Sequence, residues 1–418
     1  MLKKLKLREL ILIIYIFLGV FNPDIFPVET INVLFLCSLL YILVHIIHDK
    51  VIIAPKEIKK IISIFLLFFC YVTFSLIIHF ILDSGNASSY VTNVTVILGV
   101  FLRSFVLYYA MYIYANKCEL SVEHYFKYII VVGFIQTICV VLSMMFPTVR
   151  SFFNSFTINN SGDLHLISYI LTNSQRCYGF ANNLFDSFGY TTAIIISITF
   201  VYSIGRNTKL LFLYVPMLIM PFMNTRTGIL LVLITTIFTC IYYSKKTSAR
   251  GLIKYVLIIP AGAIIISTLF RFLPEQTMEW IQKGIDSIIV LITEKRKIAG
   301  FDTIGSMTGL PEDLLFGMAA SPELLSLGAT DVGYVQCIWR FGLIGTIILL
   351  LGYVYIFFTM YKCSRSKEEK CISLVLGIIF YVYLYKLYSI GNMCGNFLIY
   401  TILAIYISNG SMSRRKYE

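Results

Sequence analysis

Ile61-Ile-Ser-Ile-Phe-Leu-Leu-Phe-Phe-Cys-Tyr-Val-Thr-Phe-Ser-Leu-Ile-Ile-His-Phe-Ile-Leu82 decides the fold class. The stretch holds no Asp, Glu, Lys or Arg, and it is flanked by Lys56, Lys59 and Lys60 on one side and Asp83 on the other. About 20 apolar residues are what a helix needs to cross a hydrocarbon core. A membrane strand would instead alternate apolar and polar residues over about 10 positions. Working outward, stretches of the same kind fall near 9–22, 28–47, 91–115, 125–147, 182–204, 209–223, 227–243, 254–272, 333–361, 370–390 and 393–409. The chain of 418 residues is 58% hydrophobic and 13% charged. A soluble domain exposes too much surface to be covered by so few charges. The expectation is an all-α polytopic membrane protein of about twelve transmembrane helices, forming a single integral membrane domain over residues 1–418. The first apolar stretch reads as a retained helix rather than a signal peptide. No small-residue cleavage site follows it, and Asn22-Pro23-Asp24 leads into the next span.

The formal net charge of +12 would suggest nucleic acid if the charges were clustered on a soluble face. They sit instead in short gaps between spans, where they report orientation. Alternate gaps and both termini hold Lys3, Lys4, Lys6 and Arg8, then Lys50 to Lys60, Lys117, Arg206 and Lys209, Lys245 to Lys254, Lys362 to Lys370, and Arg414 to Lys416. The opposite short gaps, such as Asp83–Tyr90, hold none. This predicts both termini in the cytoplasm of a bacterial cell inner membrane and no nucleic-acid partner. Two longer gaps then face the periplasm, 148–181 and 273–332. In the second, Trp280, Ile281, Ile285, Ile288, Ile289 and Ile292 recur at helical spacing and predict an amphipathic helix. The ten cysteines are scattered and show no metal spacing.

The cytoplasmic gaps are short and carry no Walker loop, GxGxxG or metal signature, so no cofactor or metal is expected. Any reaction would use the outer loops and an activated donor already there, such as a lipid-linked pyrophosphate. Cations in costly places point the same way, because an ion near the bilayer centre costs several kcal/mol unless paired or hydrated. Arg103 lies near the middle of the fourth span, Arg340 well inside the tenth and Lys386 about a turn inside the eleventh. Arg176 and Arg226 stand at the outer ends of the sixth and eighth. Arginine's planar fork suits bidentate phosphate binding, although snorkelling or anchoring at a helix end explains some of these positions too. Asp331 heads the tenth span, either as a helix N-cap or as a catalytic base. Asn182, Asn183, Asp186 and Tyr190 are spaced so that three share one helix face, lining a polar cavity or gluing helices together. Glu312, Asp313 and Glu323 read as solvated loop residues, and His165 as incidental.

With these motifs in order, the chain resembles the O-antigen and capsule repeat-unit polymerases of the Wzy type, relatives of the O-antigen ligases. The resembling segments are Arg176-Cys-Tyr-Gly179-Phe-Ala-Asn182-Asn183, Asn224-Thr-Arg226-Thr-Gly228, Leu315-Phe-Gly317, Asp331-Val-Gly-Tyr334 and Arg340-Phe-Gly342-Leu-Ile-Gly345. The resemblance implies a fold similar to membrane-embedded, GT-C-like glycosyltransferases. It implies a metal-independent glycosyltransferase that joins undecaprenyl-pyrophosphate-linked oligosaccharides at the periplasmic face, with membrane lipids and a chain-length-determining co-polymerase as further partners. Arg226 and Asp331 would then be catalytic. Arg176, Arg340, Arg103, Asn183, Asp186, Tyr334 and Lys386 would bind substrate. The related ligases often carry a histidine where this chain has Asp331, so the ligase reading is weaker. A lipid-linked oligosaccharide flippase also fits the span count, but the two halves show no repetition.

Overall fold

The computed structural model describes residues 7–25, 29–49, 56–82, 86–157, 176–244, 279, 282, 309–321, 325 and 332–415. In chain order its helices are α1 (Leu7–Phe21), α2 (Thr30–Asp49), α3 (Lys56–Leu82), α4 (Ala87–Lys117), α5 (Val122–Met145), α6 (Pro147–Asn154) and α7 (Phe185–Gly205). After a 3-10 turn at Thr208–Leu210 come α8 (Leu211–Met217), α9 (Ile219–Asn224), α10 (Arg226–Ser244), α11 (Gly333–Cys363), α12 (Lys367–Lys386) and α13 (Met393–Arg415). No strand occurs among the described residues. Among the described residues, eight helices are long and apolar enough to cross a membrane: α2, α3, α4, α5, α7, α10, α11 and α13. That is the architecture of a polytopic membrane protein.

Four of the twelve expected spans are not among these eight. Helix α1 has only 15 residues, about 22 Å at 1.5 Å per residue. The expected seventh span, 209–223, is broken into short pieces, with Pro216 inside α8 and Pro221 inside α9. Proline removes a backbone donor and crowds the preceding turn, so a straight helix does not form there. Helix α12 carries Lys367, Glu368, Glu369 and Lys370 in its first turn and Lys386 at its end. The ninth span, 254–272, and all of the expected amphipathic helix except Glu279 and Gln282 lie outside the described residues.

Two compact units emerge from the contacts within the chain. The first comprises Met1–Cys37, Leu120–Thr293 and Arg365–Ile379; the second comprises Ser38–Glu119, Glu294–Ser364 and Phe380–Glu418. At the centre of the first is α7, buried along nearly its whole length. Its hydroxyls turn inward without penalty because Thr191, Thr192, Thr199 and Ser203 bond carbonyls one turn back. Helix α10 crosses it at van der Waals distance. A Cβ on Gly228 would stand 2.9 Å from the Gly189 Cα, so the contact depends on paired small residues, as is common between membrane helices. At one end, Arg206 beyond α7 pairs with Glu123 of α5 and Glu368 of α12.

The second unit packs α13 along α4, and α11 along α3. Helix α11 is not continuous. Gly342 has φ +62° and ψ −177°, which splits it into two helical pieces. The segment 313–318 fills the break. Leu343 and Ile344 N–H groups donate to the Leu314 and Leu315 carbonyls, and Met318 N–H donates to the Trp339 carbonyl. Asp313, read from sequence as a solvated loop residue, is exposed and also builds this turn: its Oδ1 accepts from Leu315 and Phe316 N–H. Non-helical backbone at membrane depth survives only when protein groups satisfy it. Helix α3 does this with Tyr71 to the Phe341 carbonyl at 2.9 Å and His79 Nε2 against the Gly317 carbonyl at 2.8 Å.

Candidate functional site

The sequence-derived site residues divide between the two units. Arg176, Asn183, Asp186 and Arg226 belong to the first, and Arg103, Tyr334, Arg340 and Lys386 to the second.

In the first unit the turn 176–185 is held from three sides. Asn224 Oδ1 accepts from Cys177 N–H at 2.9 Å, and its Nδ2 donates to the Cys177 carbonyl at 2.7 Å and the Met220 carbonyl at 2.9 Å. Gln136 of α5 donates to the Tyr178 carbonyl at 2.6 Å. Gly179, with φ +61°, lies against the Cys139–Val140 backbone, where a Cβ would meet atoms at 3.0 Å. Arg176 donates to the Tyr178 hydroxyl at 3.3 Å and its guanidinium sits 5.0 Å from the Phe185 ring centroid. Burial pushes the Tyr178 phenol above its ordinary value, and the adjacent Arg176 works against that shift. Asp186 accepts from Thr225, whose hydroxyl also caps α10 at Gly228 N–H, 2.8 Å away. Arg226 begins α10 directly after this cap; its side chain lies outside the described residues.

Helix α7 begins at Phe185, so Asn182 and Asn183 precede it and do not share a helical face with Asp186 and Tyr190. Asn183 is buried, donates to the Val20 carbonyl and lies 3.2 Å from the Thr191 hydroxyl, which ties the turn to α1. One contributor was missed from sequence. Arg150 of α6 is 9% exposed, donates to the Ser143 and Met144 carbonyls and lies against the Cys177 thiol. Its signal was a cation just beyond the fifth span, in a gap otherwise read as external. Removing the Asn224 clamp should be costly, because a buried amide and carbonyl of Cys177 both lose their partner. Asn224→Ala is expected to lower stability by about 3 kcal/mol, read as a fall in thermal unfolding midpoint in detergent.

In the second unit Arg340 lies near the end of the first helical piece of α11. Its Nη1 donates to Asn93 Oδ1 of α4 at 2.6 Å, and its guanidinium lies 4.9 Å from the Tyr388 ring centroid. Its Nε is buried with no hydrogen-bond partner, and so is the Tyr388 hydroxyl. On the same connection between α12 and α13, the Ser389 hydroxyl and Asn392 Nδ2 are buried and unpartnered as well. Among the described residues no carboxylate pairs with Arg340. Each orphaned donor costs about 1–3 kcal/mol. An arginine beside a tyrosine, with no carboxylate partner among the described residues, suits phosphate and sugar oxygens.

The remaining sequence-derived residues are spread along the same elements. Tyr334 stacks on Tyr385 at 5.8 Å, about 9 Å along α11 from Arg340 at 1.5 Å per residue. Lys386 closes α12, two residues before Tyr388. Arg103 bonds its own helix at the Gly99 carbonyl, 3.1 Å away. It stands about 15 Å along α4 from Asn93, so it is separate from the Arg340 group. Asp331 lies outside the described residues. Asn93 and Tyr388 were not picked out from sequence, since single neutral residues in apolar stretches carry no charge or spacing signal.

A scan against protein-family models finds no match to this chain, and a search of curated proteins finds none.

Proposed function

We propose that this protein polymerises undecaprenyl-pyrophosphate-linked oligosaccharide repeat units into O-antigen or capsular polysaccharide at the periplasmic face of the inner membrane. The observation that carries this reading is Arg340: a cation inside a membrane helix, without a described carboxylate, beside the orphaned Tyr388 hydroxyl. In the reaction the departing polyprenyl pyrophosphate is a dense anion. Cations fixed in advance stabilise the charge that develops on it, which is the most effective use of such groups. The accepting sugar hydroxyl attacks the anomeric carbon of the donor's reducing-end sugar, the bond to pyrophosphate breaks, and the hydroxyl proton passes to a base for which Asp331 is the candidate. The finer topology belongs to the same proposal: about twelve spans, both termini cytoplasmic, and a GT-C-like fold.

A transporter is the second reading, favoured by the interruption of α11, since discontinuous helices form substrate sites in many transporters. A deletion strain separates the readings on a gel of surface polysaccharide. Loss of a polymerase leaves surface glycan carrying a single repeat unit, and the ladder returns when the chain is restored. Loss of a flippase strands repeat units inside, and loss of a ligase leaves no glycan attached. Either of the last two patterns would overturn the polymerase reading.

A further inference from the structure

We propose that Asn93 is a positioning residue that aims Arg340 while leaving its positive charge available to the substrate. The inference rests on the reading of Arg340 as a diphosphate site. Asn93 is 1% exposed, and both ends of its carboxamide are engaged. Oδ1 accepts from Arg340 Nη1 at 2.6 Å and Nδ2 donates to the Ala319 carbonyl at 2.7 Å. The amide has one workable orientation. Flipped, it would set its NH2 group against a guanidinium and its oxygen against a carbonyl. Asn93 therefore joins α4, the segment that packs at the α11 break, and Arg340 in one chain of bonds.

The choice of an amide has an electrostatic consequence. A carboxylate would bond the guanidinium more strongly, and buried arginines commonly have one as a partner. It would also cancel the charge and compete with any anion entering the site. A carboxylate at this position would further oppose the Ala319 carbonyl. The neutral oxygen of Asn93 holds one nitrogen of the fork and keeps the net charge at this pair positive. The guanidinium is held over the Tyr388 ring with its Nε–H unengaged, next to the unpartnered Tyr388 hydroxyl. Restraining a flexible arginine in advance lowers the ordering cost when an anion binds.

The test uses the full-length chain in nanodiscs and farnesyl diphosphate as the probe, comparing wild type, Asn93→Asp, Asn93→Ala and Arg340→Gln. Asn93→Asp should weaken binding by at least about 100-fold, close to Arg340→Gln, because the new carboxylate occupies the cation. Asn93→Ala keeps the charge and loses only the aim, so its affinity should fall about 10-fold or less. A purely structural role predicts the opposite ranking, since alanine leaves a cavity and two lost bonds. Binding by Asn93→Asp within threefold of wild type overturns the assignment of Asn93 alone. So does a 100-fold loss in folded Asn93→Ala, which keeps the assignment testable even if the aspartate variant does not accumulate. Failure of the wild type to bind the probe overturns the diphosphate reading of Arg340 and the role of Asn93 with it.

Discussion

Arg340→Gln should lower polymer formation by at least about 100-fold while the protein accumulates in the membrane at the wild-type level. The magnitude follows from removing one pre-aimed donor to a developing anion, which costs about 100- to 1,000-fold in other enzymes. The expectation of normal accumulation has its own reason. Glutamine is neutral, so it relieves the cost of holding a cation within a membrane helix. A variant that is folded but inactive separates function from packing, and comparing polysaccharide ladders with quantitative immunoblots of the membrane fraction measures both. Wild-type ladder length in Arg340→Gln would remove Arg340 from the reaction.

Gly317→Ala should destabilise the protein by more than about 4 kcal/mol, among the largest effects expected of one methyl group. Gly317 has φ +74°, a conformation that costs any other residue about 1 kcal/mol. Its added Cβ would stand 2.4 Å from the Gly342 nitrogen, 2.6 Å from the Ile338 carbonyl oxygen and 2.8 Å from that of Trp339. All three are backbone atoms at the break in α11, so relief requires undocking the 313–318 segment. The Leu343 and Ile344 N–H groups and the Trp339 carbonyl that it satisfies would then be left without partners in a membrane environment. Gly309→Ala is the internal control, because a Cβ there meets nothing within 4 Å. Thermal unfolding in detergent should place Gly309→Ala beside wild type and Gly317→Ala far below it. Equal midpoints would mean that the break is not held by this contact.

How much of this was legible in the sequence varies by element. Helix α3 was readable from composition alone, because lipid rewards an unbroken apolar run and Ile61–Leu82 has no charge to contradict it. The region of α8 and α9 was legible as an apolar stretch but not as short helical pieces, because hydropathy does not register the backbone effect of Pro216 and Pro221. The break in α11 was hidden, since glycine is frequent within membrane helices and Gly342 resembles Gly345 and Gly352 until its φ is known. Arg340 was readable because an arginine in an apolar stretch is costly wherever it points. Its partners were not, since Asn93 lies 247 residues earlier and has no charge. The start of α7 was placed too early, which put Asn183 on a helix face instead of in the turn that ties α1 to α7.

Polymer formation by the purified chain tests the central claim most directly. Proteoliposomes holding only this protein are supplied with a lipid-linked repeat unit, and both products are followed: saccharide length and released polyprenyl pyrophosphate. The account predicts saccharides longer than one repeat, with one polyprenyl pyrophosphate released per linkage formed, and neither product with Arg340→Gln. Repeat units that cross the bilayer unchanged, with no pyrophosphate released, would contradict it.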